Sequence, residues 1–481
     1  MPSSPSPTTK NPPPPPKTGA FDRYFEISAR GSNITRELRG GLATFFTMAY
    51  ILVLNPIILA GATDKYGEHL STVQLVTSTA LVAAIMTILM GIVGRLPVAL
   101  AAGLGINALV AYQIAPRMAW ADAMGLVVIT GIVLCVLVAG GVRKAVMDAI
   151  PMQLKQAIAV GIGLFLAFIG FVDAGFVTRV PDIAGTTVPV QLGGSGQLSG
   201  WPILVFCLGV LLTFALMIRK VKGAILISII GMTAVSIVIE AVAPGQKWGL
   251  TTPAFPDSAV SAPDFGLLGD FSLTGAFGEV TALTVVLLVF TLLLSDFFDT
   301  MGTVVAVSGE AGLLDEKGQV PRIGRVLMVD AVASAAGGAS SSSSATSYIE
   351  SAAGVGEGAR TGLASVVTGA LFAVALFFTP VLTIVPMQAA APALVVVGFL
   401  LLTQVRLIDW SDITVAIPAF LTIAVMPFTY SITNGIGAGF VSYVVLSLVA
   451  GRAKRVHWLL WVVSALFTVY FFAEPIERLV F

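Results

Sequence analysis

Long apolar runs separated by short polar stretches dominate this chain. Six of them cover residues 42–60, 75–93, 124–140, 203–218, 224–243 and 281–294. These runs reach or approach the ~20 apolar residues with which an α-helix crosses the ~30 Å hydrocarbon core of a bilayer. The pattern predicts an all-α polytopic membrane protein.

Two segments interrupt this pattern at matching places in the two halves of the chain. Residues 97–113 read PVALAAGLGINALVAYQ, and residues 340–362 read SSSSSATSYIESAAGVGEGARTG. Both are rich in small residues, and each carries a polar residue near its middle, Asn107 or Glu350. Interrupted segments in corresponding positions are typical of transporters whose site is built from broken helices near the midplane. The alternative is two intact helices packed closely through small residues, and we prefer the broken-helix interpretation.

Composition narrows the class of protein further. Only 11% of the 481 residues are charged, mean hydropathy is +0.94 and formal net charge is zero, whereas soluble proteins carry about 25% charged residues. The balanced charge argues against a nucleic-acid partner. Cys135 and Cys207 lie in apolar segments, and His69 and His457 lie far apart at predicted membrane edges. The sequence therefore indicates no disulfide framework, metal site or cofactor.

The distribution of lysine and arginine predicts the orientation in the membrane. With fourteen spans and the N-terminus inside, 21 of the 26 basic residues fall in inside segments, and outside loops hold only Lys65, Arg117, Arg179 and Lys247. The N-terminus is therefore predicted to be cytoplasmic. The Pro/Ser-rich start has no apolar core, which predicts a disordered tail rather than a secretory signal.

About seven spans lie on each side of a Gly/Pro/Ser-rich stretch, which predicts two halves of opposite orientation, an inverted repeat. Residues 457–473 form either a further span or an interfacial helix. Alternatively, residues 413–451 hold two short broken spans. The predicted divisions are a disordered tail (1–38), a first repeat (39–243), an extracellular linker (244–278), a second repeat (279–456) and a C-terminal apolar segment (457–481).

Ionisable residues inside predicted spans are the candidates for chemistry, since a charge at the bilayer centre costs at least ~2.5 kcal/mol. In the eighth span, Asp296 and Asp299 lie three residues apart on neighbouring helix faces. We interpret Asp296, near mid-depth, as a site residue, and Asp299 as functional rather than a membrane-edge acid. Glu350 follows a serine run whose free backbone groups would form, with it, a recognition surface for a flat polar ligand. The alternative is a structural pair between Glu350 and Arg360.

Two further polar residues are open to interpretation. Asn107 either lines the site or holds its own broken helix together, and Asp330 is predicted to make a structural pair rather than bind ligand. Buried acids exchange protons when binding or reorientation changes their surroundings. The sequence carries no nucleotide-binding motif, so it predicts a secondary transporter rather than an ATP-driven pump.

Five motifs carry a resemblance to a known family. They are FFTMAYILVLNP (45–56), AAGLGINALVAY (101–112), AIPMQLKQAIAVGIGLFLAFIG (149–170), DFFDTMGT (296–303) and TSYIESAAGVGEGARTGL (346–363). Together they resemble the nucleobase–cation symporter (nucleobase–ascorbate transporter) family, in its hypoxanthine/guanine/adenine permease branch.

The resemblance implies a fold and a function. The fold is a 7+7 inverted repeat in which a core domain (spans 1–4 and 8–11) moves against a gate domain (spans 5–7 and 12–14). This is an elevator-type alternating-access mechanism, usually within a homodimer. The implied function is proton-coupled import of purine nucleobases, meaning hypoxanthine, guanine or adenine, across the plasma membrane.

The resemblance also implies roles for individual residues. The acids of the eighth and tenth spans fall on Asp296 and Glu350, and the polar residue of the third span falls on Asn107. An ionised carboxylate accepts two purine N–H groups in parallel. Asp296, Asp299 and Glu350 would serve proton coupling.

Backbone groups around Ile106, Tyr348 and Ile349 would also face the base. Phe297 would either stack on the ring or face lipid. The positions predicted to support the site are Asp330, Thr346, Ser347 and Arg360.

Two residues depart from the family pattern. Ser341 stands where glycine is expected, in a stretch that usually reads like GTSTVTSY, and Ala102 replaces the proline of APGMGLNA. Both changes fall in the interrupted segments. We therefore expect affinity or base preference to differ from better-known members.

Other functions remain open on the sequence alone. One is an anion transporter of the sulfate type with the same fold, which intramembrane acids disfavour because they repel anions. Another is a passive facilitator or channel, which independence from the proton gradient would identify. A membrane enzyme is disfavoured because the sequence shows no nucleophile–base pair or metal-ligand set.

Overall fold

The computed structural model describes residues 19–141, 150–180, 189–194, 196–249, 251–256, 258–315 and 319–472. The helices of the first half are α1 (Ala20–Phe25), α2 (Ile34–Met48), α3 (Ile51–Gly61), α4 (Thr72–Leu89), α5 (Leu104–Leu109), α6 (Trp120–Ala139), α7 (Met152–Asp173), α8 (Trp201–Ile218) and α9 (Ala224–Val242). Those of the second half are α10 (Ala276–Glu279), α11 (Ala282–Glu310), α12 (Ile323–Ala339), α13 (Ser351–Gly356), α14 (Gly362–Ala375), α15 (Thr379–Leu382), α16 (Met387–Ala390), α17 (Pro392–Leu402), α18 (Ile413–Phe428), α19 (Ile432–Val449) and α20 (Trp458–Phe471). The strands are β1 (Leu100–Ala102), β2 (Val177–Arg179), β3 (Val190–Leu192) and β4 (Ala345–Ser347).

The predicted membrane helices are present. Among the described residues, ten helices are long and apolar enough to cross a membrane. The predicted runs 124–140 and 203–218, for example, correspond to α6 and α8. The prediction of an all-α polytopic membrane protein is confirmed, while the count of fourteen spans stays a prediction.

The region after residue 412 consists of three helices, of which α19 is among the ten long enough to cross a membrane, while α18 and α20 are shorter. Residues 413–449 form α18 and α19, of 16 and 18 residues, joined through a turn at Tyr430. The following helix, α20, has 14 residues, and at 1.5 Å per residue it is about 21 Å long. It packs on α19 and α11.

The end of the predicted disordered tail is ordered, which corrects the boundary at residue 38. Residues 20–25 form α1, and α2 begins at Ile34, where the Asn33 side chain accepts a hydrogen bond from Arg36 N at 3.0 Å. Such a cap satisfies a backbone donor that a helix N-terminus leaves free. Phe25 and Ile27 are buried with Leu363, which fixes this segment to α14. Residues 1–18 lie outside the described residues.

The helices form two groups. We call α1–α6 with α10–α15 bundle A, and α7–α9 with α16–α20 bundle B. In bundle A, α12 packs on α6 and α14 packs on α4 and α2. In bundle B, α7 packs on α17 and α18, and α8 packs on α9. Bundle A contains the helices of the expected core domain, and bundle B contains those of the expected gate domain.

Helix contacts recur in matched pairs when the two halves of the chain are exchanged. The contact of α6 with α12 has its counterpart in α14 with α4, and that of α8 with α9 in α18 with α19. The α7–α17 contact is its own counterpart. This pairing is the pattern that an inverted repeat predicts.

Small residues permit these close contacts. A Cβ on Gly131 of α6 would lie 2.3 Å from Ala335 N of α12, and one on Gly398 of α17 would lie 2.4 Å from Gly163 O of α7. Membrane helices associate through such small residues because lipid provides no hydrophobic force between them. In the loop between α7 and α8, β2 pairs antiparallel with β3. The sequence predicts short strands there over 187–192, of which 187 and 188 lie outside the described residues.

Candidate functional site

The two interrupted segments meet inside bundle A. Strand β1 pairs antiparallel with β4, with Ala101 opposite Thr346. The ladder extends at both ends, where Gly103 N donates to Ser344 O and Tyr348 N donates to Ala99 O, each at 2.9 Å. Each strand leads into a half-helix, α5 after β1 and α13 after β4.

Side chains satisfy the irregular backbone around this crossing. The Thr87 hydroxyl lies 2.9 Å from both the amide nitrogen and the carbonyl oxygen of Leu100. Ser351 Oγ accepts a hydrogen bond from Ala99 N at 3.0 Å. Irregular backbone at membrane depth is tolerated only where its polar groups find partners or face a cavity. Hydroxyl side chains of α4 and of the second interrupted segment therefore stabilise the crossing itself.

The serine run is buried, not a solvent-exposed loop. All five residues from Ser340 to Ser344 are at most 4% exposed. Ser341 and Ser343 have φ of +54° and +66°, a left-handed conformation that costs an L-residue about 1–2 kcal/mol relative to glycine. This conformation accounts for the glycine expected at position 341 in relatives. The Ser341 hydroxyl donates to Asp270 O at 3.1 Å, a bond that glycine does not form.

Glu350 occupies the N-cap position of α13 and is half-buried. Its Oε1 accepts a hydrogen bond from the Tyr50 hydroxyl at 2.5 Å. Arg360 instead lies at the other end of α13, where its Nη1 is 2.7 Å from both Val355 O and Ala359 O. A cation there satisfies terminal carbonyls of the helix, so these contacts give Arg360 a structural role apart from Glu350.

The two acids of α11 have different surroundings. Asp296 is fully buried, and its Oδ2 accepts a hydrogen bond from the Ser344 hydroxyl at 2.6 Å. Asp299 is exposed, and its Oδ2 accepts from the Thr346 hydroxyl at 3.1 Å. Asp299 also interacts electrostatically with Glu350. Asp299, rather than Asp296, is therefore the acid of α11 that is accessible and interacts with Glu350.

The residues expected to contact a base likewise divide into exposed and buried ones. Ile349, next to Glu350 in the chain, is 48% exposed, whereas Ile106 and Phe297 are buried. Its burial means that the Phe297 ring is not exposed in either of the two orientations expected for it, towards the base or towards lipid. Tyr348 is buried, with its hydroxyl donating to Ala102 O at 2.5 Å.

Asp330 and Asn107 are fully buried. The Thr300 hydroxyl lies 2.7 Å from both carboxylate oxygens of Asp330, and the Ser347 hydroxyl donates to Asp330 Oδ1 at 3.1 Å. These bonds tie α11, α12 and β4 together. Asn107 Nδ2 lies 3.5 Å from Asn55 O, and its Oδ1 has no hydrogen-bond partner among the described residues. Among those residues, no three His, Cys, Asp or Glu side chains are grouped as metal ligands would be.

Two residues that contact the predicted site are not predicted from the sequence. Tyr50 binds Glu350, and Asn55 donates to Thr79 Oγ1 at 2.8 Å and to Ser342 O at 3.1 Å. Both belong to FFTMAYILVLNP, an otherwise apolar run. The sequence signal for these residues is a tyrosine and an asparagine in an apolar span, with Pro56 directly after the asparagine. Proline frees a helix carbonyl and often accompanies irregular backbone.

One set of contacts between the bundles lies on the side that carries Arg117 and the β2–β3 loop, predicted to be extracellular. Tyr430, between α18 and α19, has φ of +53°. Its ring contacts those of Tyr112, Phe165 and Phe168 at centroid distances of 5.7, 5.3 and 6.0 Å. The Tyr112 hydroxyl donates to Asp173 Oδ2 at 3.0 Å. We call these five side chains the outer plug.

Comparisons with known proteins agree with the membrane fold described above. Residues 35–438 match the xanthine/uracil permease model, described as a permease family. A putative permease of Methanocaldococcus jannaschii is 38% identical over 94% of this chain and 98% of its own. The guanine/hypoxanthine permease PbuG of Bacillus subtilis is 37% identical over 93% of this chain and 98% of its own. The adenine permease AdeQ of Escherichia coli is 34% identical over 94% of this chain and 96% of its own.

Solved structures support the fold. The transmembrane domain of a cyanobacterium bicarbonate transporter, BicA, superimposes with a TM-score of 0.60 at 14% identity, over 85% of this chain and 97% of that one. At this identity the likeness concerns architecture alone.

Proposed function

Because the chain belongs to the nucleobase–ascorbate transporter family, in its hypoxanthine/guanine/adenine permease branch, we propose that it carries purine nucleobases across the membrane. The observation that carries the proposal is the pair of interacting carboxylates beside the strand crossing, the exposed Asp299 and the half-buried Glu350. As a family member, the chain is a transporter rather than an enzyme.

The two acids suit the hydrogen-bonding edges of a purine. Purines present N–H donors in the plane of the ring, and an ionised carboxylate is an acceptor only. Tyr50 holds one oxygen of Glu350, and Thr346 holds one oxygen of Asp299. In this proposal the remaining acceptor positions bind the base. Hydrogen bonds to an ionised group are stronger than neutral ones, so each acid contributes to affinity and orientation.

Proton coupling is proposed for the same pair. Two neighbouring carboxylates repel each other when both are ionised, so the proton content of the pair is linked to what binds to them. Asp296, enclosed behind Ser344, is then a support for the crossing in this conformation, and its exposure in another conformation would give it a direct role.

Alternating access is proposed to occur by movement of bundle A against bundle B. The outer plug joins Tyr112 of bundle A to Asp173 and Tyr430 of bundle B, and its closure separates the site from the predicted extracellular side. The cycle therefore requires the plug to open. We further propose a plasma-membrane location with the N-terminus inside, and a homodimer as the working assembly.

Uptake of labelled hypoxanthine, guanine and adenine by cells that lack their own purine permeases tests the function. We expect expression of this chain to produce uptake that unlabelled purines suppress and a protonophore abolishes. Asp299→Asn and Glu350→Gln should each remove it, while Glu279→Gln, which changes an acid at the end of the short helix α10 on the predicted outer side, should not.

The same experiment identifies the other functions. Competition by sulfate and not by purines would show an anion transporter. Purine equilibration that is insensitive to the protonophore would show a facilitator.

A further inference from the structure

A groove of about 360 Å³ lies between α2 and α9, beside the end of α13. One wall is formed by Leu42 and Phe46 of α2, and the other by Leu226 and Ile227 of α9. None of these residues belongs to the candidate site. Leu42, Phe46 and Ile227 are all exposed, so this recess presents an apolar surface outside the protein interior.

The rim of the groove is charged. Arg39 Nη2 lies 2.6 Å from Glu357 Oε2, and Lys222 forms an ion pair with the other oxygen of Glu357. Two cations thus meet one carboxylate, which leaves the rim with a net positive charge. The Arg39 and Lys222 side chains are 66% and 52% exposed, so both can bind a further anion without unfolding any element.

Cations beside an apolar recess complement one class of ligand. Arginine and lysine bind phosphate groups, and basic pockets between membrane helices bind anionic lipid head groups. A soluble phosphate would use the rim and leave the walls in contact with water or lipid. A phospholipid uses both features, with its phosphate at the rim and an acyl chain along the walls.

The groove also lies across the two bundles, because α2 belongs to bundle A and α9 to bundle B. Its walls converge at Gly223, where an added Cβ would lie 3.2 Å from Phe46 O. An occupant therefore contacts both groups of helices at once. Movement of one bundle against the other would change the width of the groove.

We propose that this groove binds one anionic phospholipid, with the phosphate on Arg39 and Lys222 and an acyl chain along Leu42, Phe46 and Ile227. The inference concerns lipid binding and does not depend on which substrate the protein carries.

Native mass spectrometry of the purified protein in detergent tests the site, with phosphatidylglycerol and phosphatidylcholine as probes. We expect one phosphatidylglycerol to be retained in preference to phosphatidylcholine. Arg39→Gln with Lys222→Gln should weaken that retention about twenty-fivefold, because each basic residue near an anionic surface contributes a factor of about five. Each single substitution should weaken it about fivefold.

The matched control is Arg406→Gln with Lys454→Gln. Both side chains are exposed in short turns, after α17 and α19, and the pair removes the same charge on the side predicted to be cytoplasmic. The control should retain the lipid as the unmodified chain does. Thermal unfolding provides a second measurement, since a ligand that binds only the folded state raises Tm. Phosphatidylglycerol should raise the Tm of the unmodified chain and the control more than that of the groove variant.

Equal retention by the groove variant and the control would overturn the proposal. Retention of phosphatidylcholine to the same extent as phosphatidylglycerol would overturn it as well, because the rim charges would then play no part.

Discussion

The phenolic oxygen of Tyr50 lies 2.5 Å from Oε1 of Glu350, and this bond joins the break between α2 and α3 to the first turn of α13. Tyr50 is 1% exposed, so its hydroxyl has no access to bulk water as an alternative partner. The orientation of the Glu350 carboxylate is therefore fixed by a residue three hundred positions away in the chain.

Tyr50→Phe should weaken substrate binding while preserving the fold. A hydrogen bond to a charged group contributes about 1.5–3 kcal/mol. We expect the share of this energy that orients the Glu350 carboxylate to appear as a five- to tenfold rise in the KM for uptake. The pH profile of uptake should also change, because Glu350 loses a donor. Tyr66→Phe is the control, since Tyr66 donates to Glu279 at 2.6 Å in an outer loop. An unchanged KM and pH profile in Tyr50→Phe would show that this bond does not position the acid.

Asp299 and Asp330 should respond differently to substitution. Asp299→Asn should abolish uptake with little change in Tm, because its side chain is exposed. Asp330→Ala should lower stability by about 2 kcal/mol, since the hydroxyls of Thr300 and Ser347 lose a buried acceptor. Uptake kinetics and thermal unfolding of the purified variants distinguish these effects. Loss of stability in Asp299→Asn with normal stability in Asp330→Ala would reverse the assignment.

Removal of the Tyr430 ring should open the outer plug. Its three aromatic contacts contribute about 0.5–1.5 kcal/mol each, so Tyr430→Ala should raise the population of the open form at least about tenfold. The measurement uses Ile349→Cys in a chain whose Cys135 and Cys207 are replaced by alanine. A membrane-impermeant thiol reagent added outside should label this cysteine faster after Tyr430→Ala.

Tyr470→Ala is the control for the plug experiment. The Tyr470 hydroxyl lies 3.4 Å from Arg117 Nη1 on the same side of the protein but takes no part in the plug. Its removal should leave the labelling rate unchanged. Equal labelling in the Tyr430→Ala variant and the parent would show that the plug does not control access.

Stability should depend on pH through Glu26. Its hydrogen bond with Arg322 is the main cause that lowers the pKa of Glu26 from 4.5 to about 2, with Arg30 contributing. Because the folded-state pKa is the lower one, the stabilisation is complete above pH 4.5 and is lost as pH falls towards 2. Partial exposure reduces its size to about 1–2 kcal/mol. The difference in unfolding free energy between the unmodified chain and Glu26→Gln should follow this course between pH 6 and 2.

Glu310→Gln, at the exposed end of α11, serves as the control for the Glu26 experiment. A difference for Glu26→Gln that is constant with pH would contradict the role of ionised Glu26.

Hydropathy predicts most of the helices because the apolar runs are long and each must hide its backbone from lipid. The meeting of residues 97–113 with residues 340–362 also follows from their matching places in the two halves. The rotation of each helix about its own axis does not follow from hydropathy. Asp296 and Asp299 are separated by about 60° around a helix, so only the packing of α11 decides which acid is accessible.

Backbone geometry likewise limits what sequence can predict. The substitution of serine for glycine at 341 is visible in the sequence, but its bond to Asp270 and its left-handed φ require the fold. Tyr50 stands next to the break between α2 and α3, and nothing in the apolar run predicts that α13 approaches this point.

The bond from Ser341 to Asp270 has a consequence for the linker between the two halves. Ser261 N donates to Phe377 O, Gly269 N to Ala339 O and Ser272 N to Ala121 O, so the later part of the linker is attached to bundle A. Its beginning is attached to bundle B, where Trp248 Nε1 donates to Glu240 of α9 at 2.8 Å. If the bundles are displaced during transport, the strain in this connection falls on the stretch between Trp248 and Ser261. Shortening that stretch would therefore restrict how far one bundle can move against the other.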